Sequence, residues 1–166
     1  MLQIDPSVLA AVLAHATRAA PERACGLLVG RGGLGRREAV SAEPATALPA
    51  GRARGRFDLH PGDWQRIDRT ARGRGQDVVG VYCAEKGAAL SIEKSDAATA
   101  AEGYSYLVVA PGAPAPQLFA FEQTILGPER EPVEVAPVAP PSTAKPPLMT
   151  PMPRPDDKHL GGHQVH

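Results

Sequence analysis

The chain has 166 residues, enough for one domain and an extension but not for two. Its 18 Lys and Arg balance 18 Asp and Glu, which excludes a strongly basic nucleic-acid binder and a highly charged disordered chain. No apolar run approaches the roughly 18 residues needed to span a bilayer, and the N-terminal MLQIDPSVLA has neither the cationic stretch nor the apolar core of a signal peptide. The two cysteines, Cys25 and Cys83, are too few for a disulfide scaffold, so a cytoplasmic location is expected.

From Asp5 the chain reads as a helix. Asp5 is a cap, Pro6 suits the first helical position, and Val8, Leu9, Val12, Leu13 and Ala16 recur on one face before Pro21 ends it. Ala24 to Val29 is an apolar run of strand length, closed by an expected glycine-rich turn over Gly30–Gly33. A weaker strand, Arg37 to Glu43, comes next, and then a loop over 44–56. Phe57-Asp58-Leu59 is a brief extended piece before Pro61 opens a second helix, with Trp64, Ile67 and Ala71 on its buried side and Arg66, Arg69 and Arg72 on its wet side.

Asp77 to Tyr82 reads as a buried strand. A loop from Cys83 to Ser91 leads to a short helix around Glu93–Ala101. Tyr104–Ala110 and Gln117–Glu122 are strands joined by a turn at Pro111–Pro114, and Val133–Val135 is a last edge strand. This order predicts an α+β sandwich: a mixed sheet with two main helices and a short third one. Of the 18 prolines, eight lie between Pro137 and Pro155. The expected division is therefore a domain over 1–136 and an extended or disordered proline-rich tail over 137–166.

Three segments resemble the JAMM/MPN (Mov34/PAD-1, JAB) domain of bacterial type. Pro21-Glu22-Arg23-Ala24-Cys25-Gly26-Leu27-Leu28-Val29-Gly30 resembles that family's first strand. Val79-Gly80-Val81-Tyr82, a loop, then Asp96 and an alanine-rich helix resemble the segment carrying its metal motif. Phe57 and Pro61 fall where its members place a Phe and a Pro. The resemblance covers about residues 5–125 and implies a cytidine-deaminase-like sandwich. It also implies a site made of a strand glutamate followed by His-x-His, seven residues and Ser-x-x-Asp. There a three-ligand zinc activates water, the glutamate is general base and the serine assists the oxyanion. In the family that site hydrolyses peptide or isopeptide bonds, often after a C-terminal Gly-Gly of a ubiquitin-like or sulfur-carrier protein.

On that frame the spacing is intact and the chemistry is replaced. Arg23 stands at the glutamate position, Cys83 and Glu85 at the two histidines, Lys86 at the following proline and Glu93 at the serine; Asp96 alone matches. Arg23 cannot accept a proton. The expectation is a metal-free polar cluster in which Arg23 pairs with Asp96, Glu85 or Glu93, with no catalytic residue intact and no cofactor. The alternative is a zinc site built from Cys83, Glu85 and Asp96 in a working metal-dependent (iso)peptidase.

Inactive members of the family act as scaffolds, so the resemblance implies a pseudoenzyme that binds protein. Its partner would be an active MPN subunit, a ubiquitin-like carrier or a second copy of itself; nucleic acid and membranes are not expected. Cys25 reads as core and Cys83 as a partly buried thiol with no histidine to activate it. Arg52, Arg54, Arg56, Arg66, Arg69, Arg72 and Arg74 form a basic stretch interspersed with Asp58, Asp63 and Asp68. A solvated face is the default there, and an adaptor for an acidic partner the alternative. Near the C-terminus, His159, His163 and His166 flank Leu160-Gly161-Gly162, which resembles the Leu-x-Gly-Gly ends on which active family members work.

Overall fold

Leu2, Gln3 and Ile4, all buried, form the first strand of a computed structural model that describes residues 1–33 and 35–140. The elements in chain order are β1 (Leu2–Ile4), α1 (Pro6–Ala19), β2 (Ala24–Gly33), β3 (Arg36–Ala45), α2 (Pro61–Gly73) and β4 (Asp77–Ala84). Then come α3 (Asp96–Thr99), β5 (Ser105–Ala110), β6 (Gln117–Thr124), β7 (Gly127–Glu131) and β8 (Val133–Val135). Among the described residues this is an α+β fold with a mixed sheet in the order β7-β6-β5-β4-β2-β3-β1-β8.

The two edge strands of that order, β7 and β8, are separated by Pro132 alone. The sheet must therefore curl until its edges nearly meet, and the Leu2 amide of β1 donates to the Pro132 carbonyl, at the start of β8, at 2.9 Å. The expected sandwich is in this respect corrected to a nearly closed, barrel-like sheet. Twist accumulates in one direction from strand to strand, which is the general route to such closure.

Helix α1 starts as its sequence dictates: the Asp5 carboxylate accepts from the Ser7 amide at 2.9 Å, and Pro6 occupies the first turn. Its Val8, Val12 and Ala16 join Leu2, Ile4, Leu28, Tyr82 and Leu107 in one core. Helix α2 begins at His60, whose Nδ1 accepts from the Gly62 amide at 3.1 Å. Ile67 and Ala71 of α2 join Cys25, Leu27, Val81, Cys83, Val108 and Phe121 in a second core. Alternate residues of β2 thus feed opposite cores, as a period of two requires. The register between β2 and β4 shifts after Leu28↔Gly80, so that Val29 faces Val78. That bulge places Val79 and Val81 in different cores although they are two apart.

Several boundaries differ from expectation. The glycine-rich segment Gly30–Gly33 is not a turn but the end of β2. A side chain at Gly30 would overlap the Glu38 carbonyl, so the glycine is what lets β3 approach. Strand β4 runs on through Cys83 and Ala84, which places Cys83 in the sheet rather than in a loop. The third helix is a single turn over Asp96–Thr99, shorter than the expected 93–101. Strands β1 and β7 were not foreseen. The three-residue β1 is short for a strand and abuts a helix cap, and Gly-Pro-Glu-Arg-Glu has no apolar alternation to announce β7.

The last described residues lie along the N-terminus. Gln3 Nε2 donates to the Ala136 and Pro137 carbonyls at 3.3 and 3.0 Å, and the Val138 amide donates to Asp5 Oδ2 at 3.1 Å. The terminal histidines and Leu160-Gly161-Gly162 lie outside the described residues. No helix among the described residues is long and apolar enough to cross a membrane.

Candidate functional site

Strands β2 and β4 are antiparallel, with Cys25 opposite Cys83 and Ala24 opposite Ala84. One rung further, beyond the strand ends, Arg23 meets Glu85: the guanidinium Nη2 lies 3.0 Å and Nε 3.2 Å from Glu85 Oε1. Residues two apart on a strand share a face, so the Arg23–Glu85 pair sits directly over the two thiols. The ion pair is partly open to solvent, whereas Cys25 is 2% exposed and Cys83 is fully buried.

The thiols influence each other. A hydrogen bond from the Cys83 side chain holds the Cys25 thiol below its ordinary range, against burial and with help from the nearby Arg23 charge. The same hydrogen bond and the loss of water push the Cys83 thiol well above that range. Glu85 raises Cys83 further. Cys83 is therefore a protonated, buried thiol, more deeply enclosed than the expected partly buried one. Neither His15 nor His60 approaches it: His15 Nδ1 lies 2.7 Å from the Tyr82 hydroxyl, and His60 caps α2.

Asp96 is not part of the Arg23 cluster. Its carboxylate, fully buried at the start of α3, is held by Arg56, with Nε 3.2 Å from Oδ1 and Nη2 3.0 Å from Oδ2. This is the fork-to-fork geometry that a planar guanidinium makes with a carboxylate. Arg56 also donates to the Ala89 carbonyl at 2.7 Å and to the Ser91 carbonyl at 2.6 Å. The Glu93 amide donates to Asp96 Oδ2 at 2.7 Å, while the Glu93 side chain is exposed. Arg56 thus pins the whole connection from Ala89 to Asp96. Its own carbonyl receives the Cys25 thiol at 3.8 Å, so the cluster adjoins the thiol pair.

Of the residues singled out from sequence, the structure brings together Arg23, Glu85, Cys83 and, opposite it, Cys25; Asp96 and Glu93 stand apart. Arg56 was missed as a member of any site and read as one of a run of solvated arginines, yet its side chain is 4% exposed. A buried aspartate needs a counter-charge, and that requirement was the available signal, but 40 residues separate the partners. Of the remaining basic stretch, Arg54, Arg66 and Arg72 pair with Asp58, Asp63 and Asp68.

Zinc, which the resemblance implies, does not fit these side chains. Among the described residues no three His, Cys, Asp or Glu side chains gather as a ligand set. The carboxylate that would complete such a set is already neutralised by Arg56, and a second guanidinium holds Glu85. Beside Glu85 the surface opens instead into a groove of about 590 Å³, lined by Thr17, Ala20, Pro21, Glu22, Lys86 and Pro111 among others.

No protein-family model and no curated protein matches the chain. Solved structures do. The solution structure of a protein from Desulfitobacterium hafniense is similar at 23% identity and a TM-score of 0.68, over 83% of this chain and 94% of that one. The solution structure of a protein from Salinibacter ruber is similar at 27% identity and a TM-score of 0.60, also over 83% and 94%. What the chain shares with them is the α+β fold.

Proposed function

We propose that this chain is a JAMM/MPN-type domain in which metal-dependent hydrolysis has given way to protein binding. The observation that carries this reading is the Arg56–Asp96 pair: the one residue matching the family's ligand set is committed to a buried guanidinium, at 3.0 and 3.2 Å. Such a pair is held in place by the cost of leaving either charge alone in the interior. Arg23, which cannot accept a proton, stands where the family places its general base, and this supports the same reading. The groove beside Glu85 is of the size that takes an extended segment of a partner. It carries both Glu22 and Lys86, a mixed rim suited to a polar peptide rather than to nucleic acid. The partner class is a ubiquitin-like or sulfur-carrier protein, an active MPN subunit, or a second copy of the chain.

Two measurements on the full-length protein test this. Elemental analysis after purification is expected to find far less than one equivalent of zinc. About one equivalent, lost in Cys83→Ser or Asp96→Ala, overturns the reading. Incubation with carrier fusions ending in Gly-Gly is expected to give a complex without cleavage, weakened by Lys86→Glu at the groove. Cleavage that a chelator stops restores the peptidase.

A further inference from the structure

The chain has two cysteines in all, and the fold sets them directly opposite each other on adjacent antiparallel strands. Opposed residues on such strands have Cα atoms about 4.5 or 5.5 Å apart, depending on the kind of pair, and both values lie within the span a disulfide bridges. Both thiols are free. We propose that Cys25 and Cys83 are a reversible redox centre, forming an intramolecular disulfide between β2 and β4 when a hydroperoxide oxidises Cys25 beneath the Arg23–Glu85 pair.

The chemistry derives from the surroundings of each sulfur. Cys25 stands two residues from Arg23 on its own strand and Cys83 two residues from Glu85 on its own, so the cation favours a thiolate at Cys25 while the carboxylate opposes one at Cys83, and Cys25 is the sulfur that attacks. Its sulfur displaces hydroxide from hydrogen peroxide, giving Cys25 sulfenic acid, and the hydroxide leaves as water with the thiol's proton. The Cys83 sulfur then attacks the Cys25 sulfur. The S–O bond breaks, the S–S bond forms, and the oxygen leaves as a second water carrying the Cys83 proton. The two sulfurs together lose two electrons, and the peroxide gains them. A dithiol reductant reverses the reaction by exchange. Access is by the Arg23–Glu85 rung, whose side chains are 39% and 32% exposed. An ion pair that open to water parts easily, and hydrogen peroxide is little larger than water. This site is independent of the binding reading, because disulfide formation needs no partner.

The test uses the full-length protein, reduced, desalted and exposed to hydrogen peroxide, then denatured and alkylated for intact mass. The expected product is a monomer about 2 Da lighter with no alkylated thiol and a Cys25–Cys83 cross-linked peptide; dithiothreitol returns two alkylatable thiols. Cys83→Ser is expected to stop at a sulfenic acid that dimedone captures, and Arg23→Gln to slow oxidation by about threefold or more. Two thiols still alkylatable after peroxide overturn the proposal, as do cross-links only between chains. An unchanged rate in Arg23→Gln, or oxidation of Cys25→Ser at the wild-type rate, overturns the assignment of Cys25 as the attacking sulfur. The wild-type measurement stands even where a variant folds poorly.

Discussion

Arg56 donates four hydrogen bonds from a buried guanidinium, two to the Asp96 carboxylate and two to main-chain carbonyls. Its ring neighbour Phe57 lies 5.3 Å below the charge. Removing it strands a buried carboxylate and frees the connection before α3. Arg56→Met is expected to cost about 3–5 kcal/mol in urea unfolding at neutral pH. Arg56→Met with Asp96→Leu should cost less than Arg56→Met alone, since no lone charge then remains. His15 gives a prediction with a pH sign. Partial burial, and then the Arg18 charge, depress its pKa below the ordinary 6.5, and its Nδ1 lies 2.7 Å from the Tyr82 hydroxyl. The unfolded chain therefore binds more protons between its pKa and the lower folded one. The stability His15 contributes is full above about pH 7 and falls as pH drops through 6.5 towards the folded value. The urea midpoint difference between wild type and His15→Gln should accordingly be greater at pH 7.5 than at pH 5. At this scale the sequence revealed the frame and not the partners. The spacing of Cys83, Glu85 and Asp96 was legible along the chain, whereas the choice between Arg23 and Arg56 as counter-charge depended on how a loop folds back.

At the scale of elements, α1 and α2 were legible because their signals are local: a proline in the first turn and a repeat of apolar residues fall within each one, whereas the single turn of α3 has neither. The buried strands were legible as apolar runs, and β1 and β7 were not, because their stability comes from neighbours distant in sequence. β1 lies between β3 and β8 in a parallel arrangement that no local pattern encodes. The same dependence on neighbours explains Gly80. It sits in β4 between β2 and β5, and a Cβ there would overlap the Ser105 carbonyl of β5 while touching Leu28 of β2. Gly80→Ala is expected to destabilise by about 1–3 kcal/mol through forced displacement of packed strands. The urea midpoint checks this. A neutral result would mean that β4 and β5 separate without loss, contrary to the fully buried Leu107 and Val108 on β5.

For the whole molecule, closure depends on the residues after β7. Pro132 carries the chain from one edge of the sheet to the other, and β8 then pairs with β1 from Leu2↔Val133 to Ile4↔Val135. The Ala136 amide donates to the Ile4 carbonyl at 3.0 Å, and Gln3 and Asp5 hold the next residues through Val138. These contacts tie the start of the chain to the residues that follow β7, and Val133 packs against the α1 core. A chain ending at Pro132 keeps every other strand but loses this seam. At about 0.5–1.5 kcal/mol for each of several hydrogen bonds, it should be less stable by about 2–5 kcal/mol than a chain ending at Pro140. Amide exchange should show where the loss falls. In the shorter chain the Ile4 amide of β1, which by alternation along the strand faces β8 as the Leu2 amide does, should lose protection, while Leu107 and Val108 of β5 keep it, because the contacts removed lie at the β1 edge. Equal protection of β1 in both chains would mean that β3 alone secures it and that the curl of the sheet owes nothing to β8. The difference bears on function as well. Arg23 and the groove lie at the C-terminal end of α1, and Asp5 caps its N-terminal end while accepting from Val138. Loosening the seam should therefore weaken the proposed partner binding only if α1 shifts as a body, an outcome that binding assays on the two chains would separate from the loss of stability.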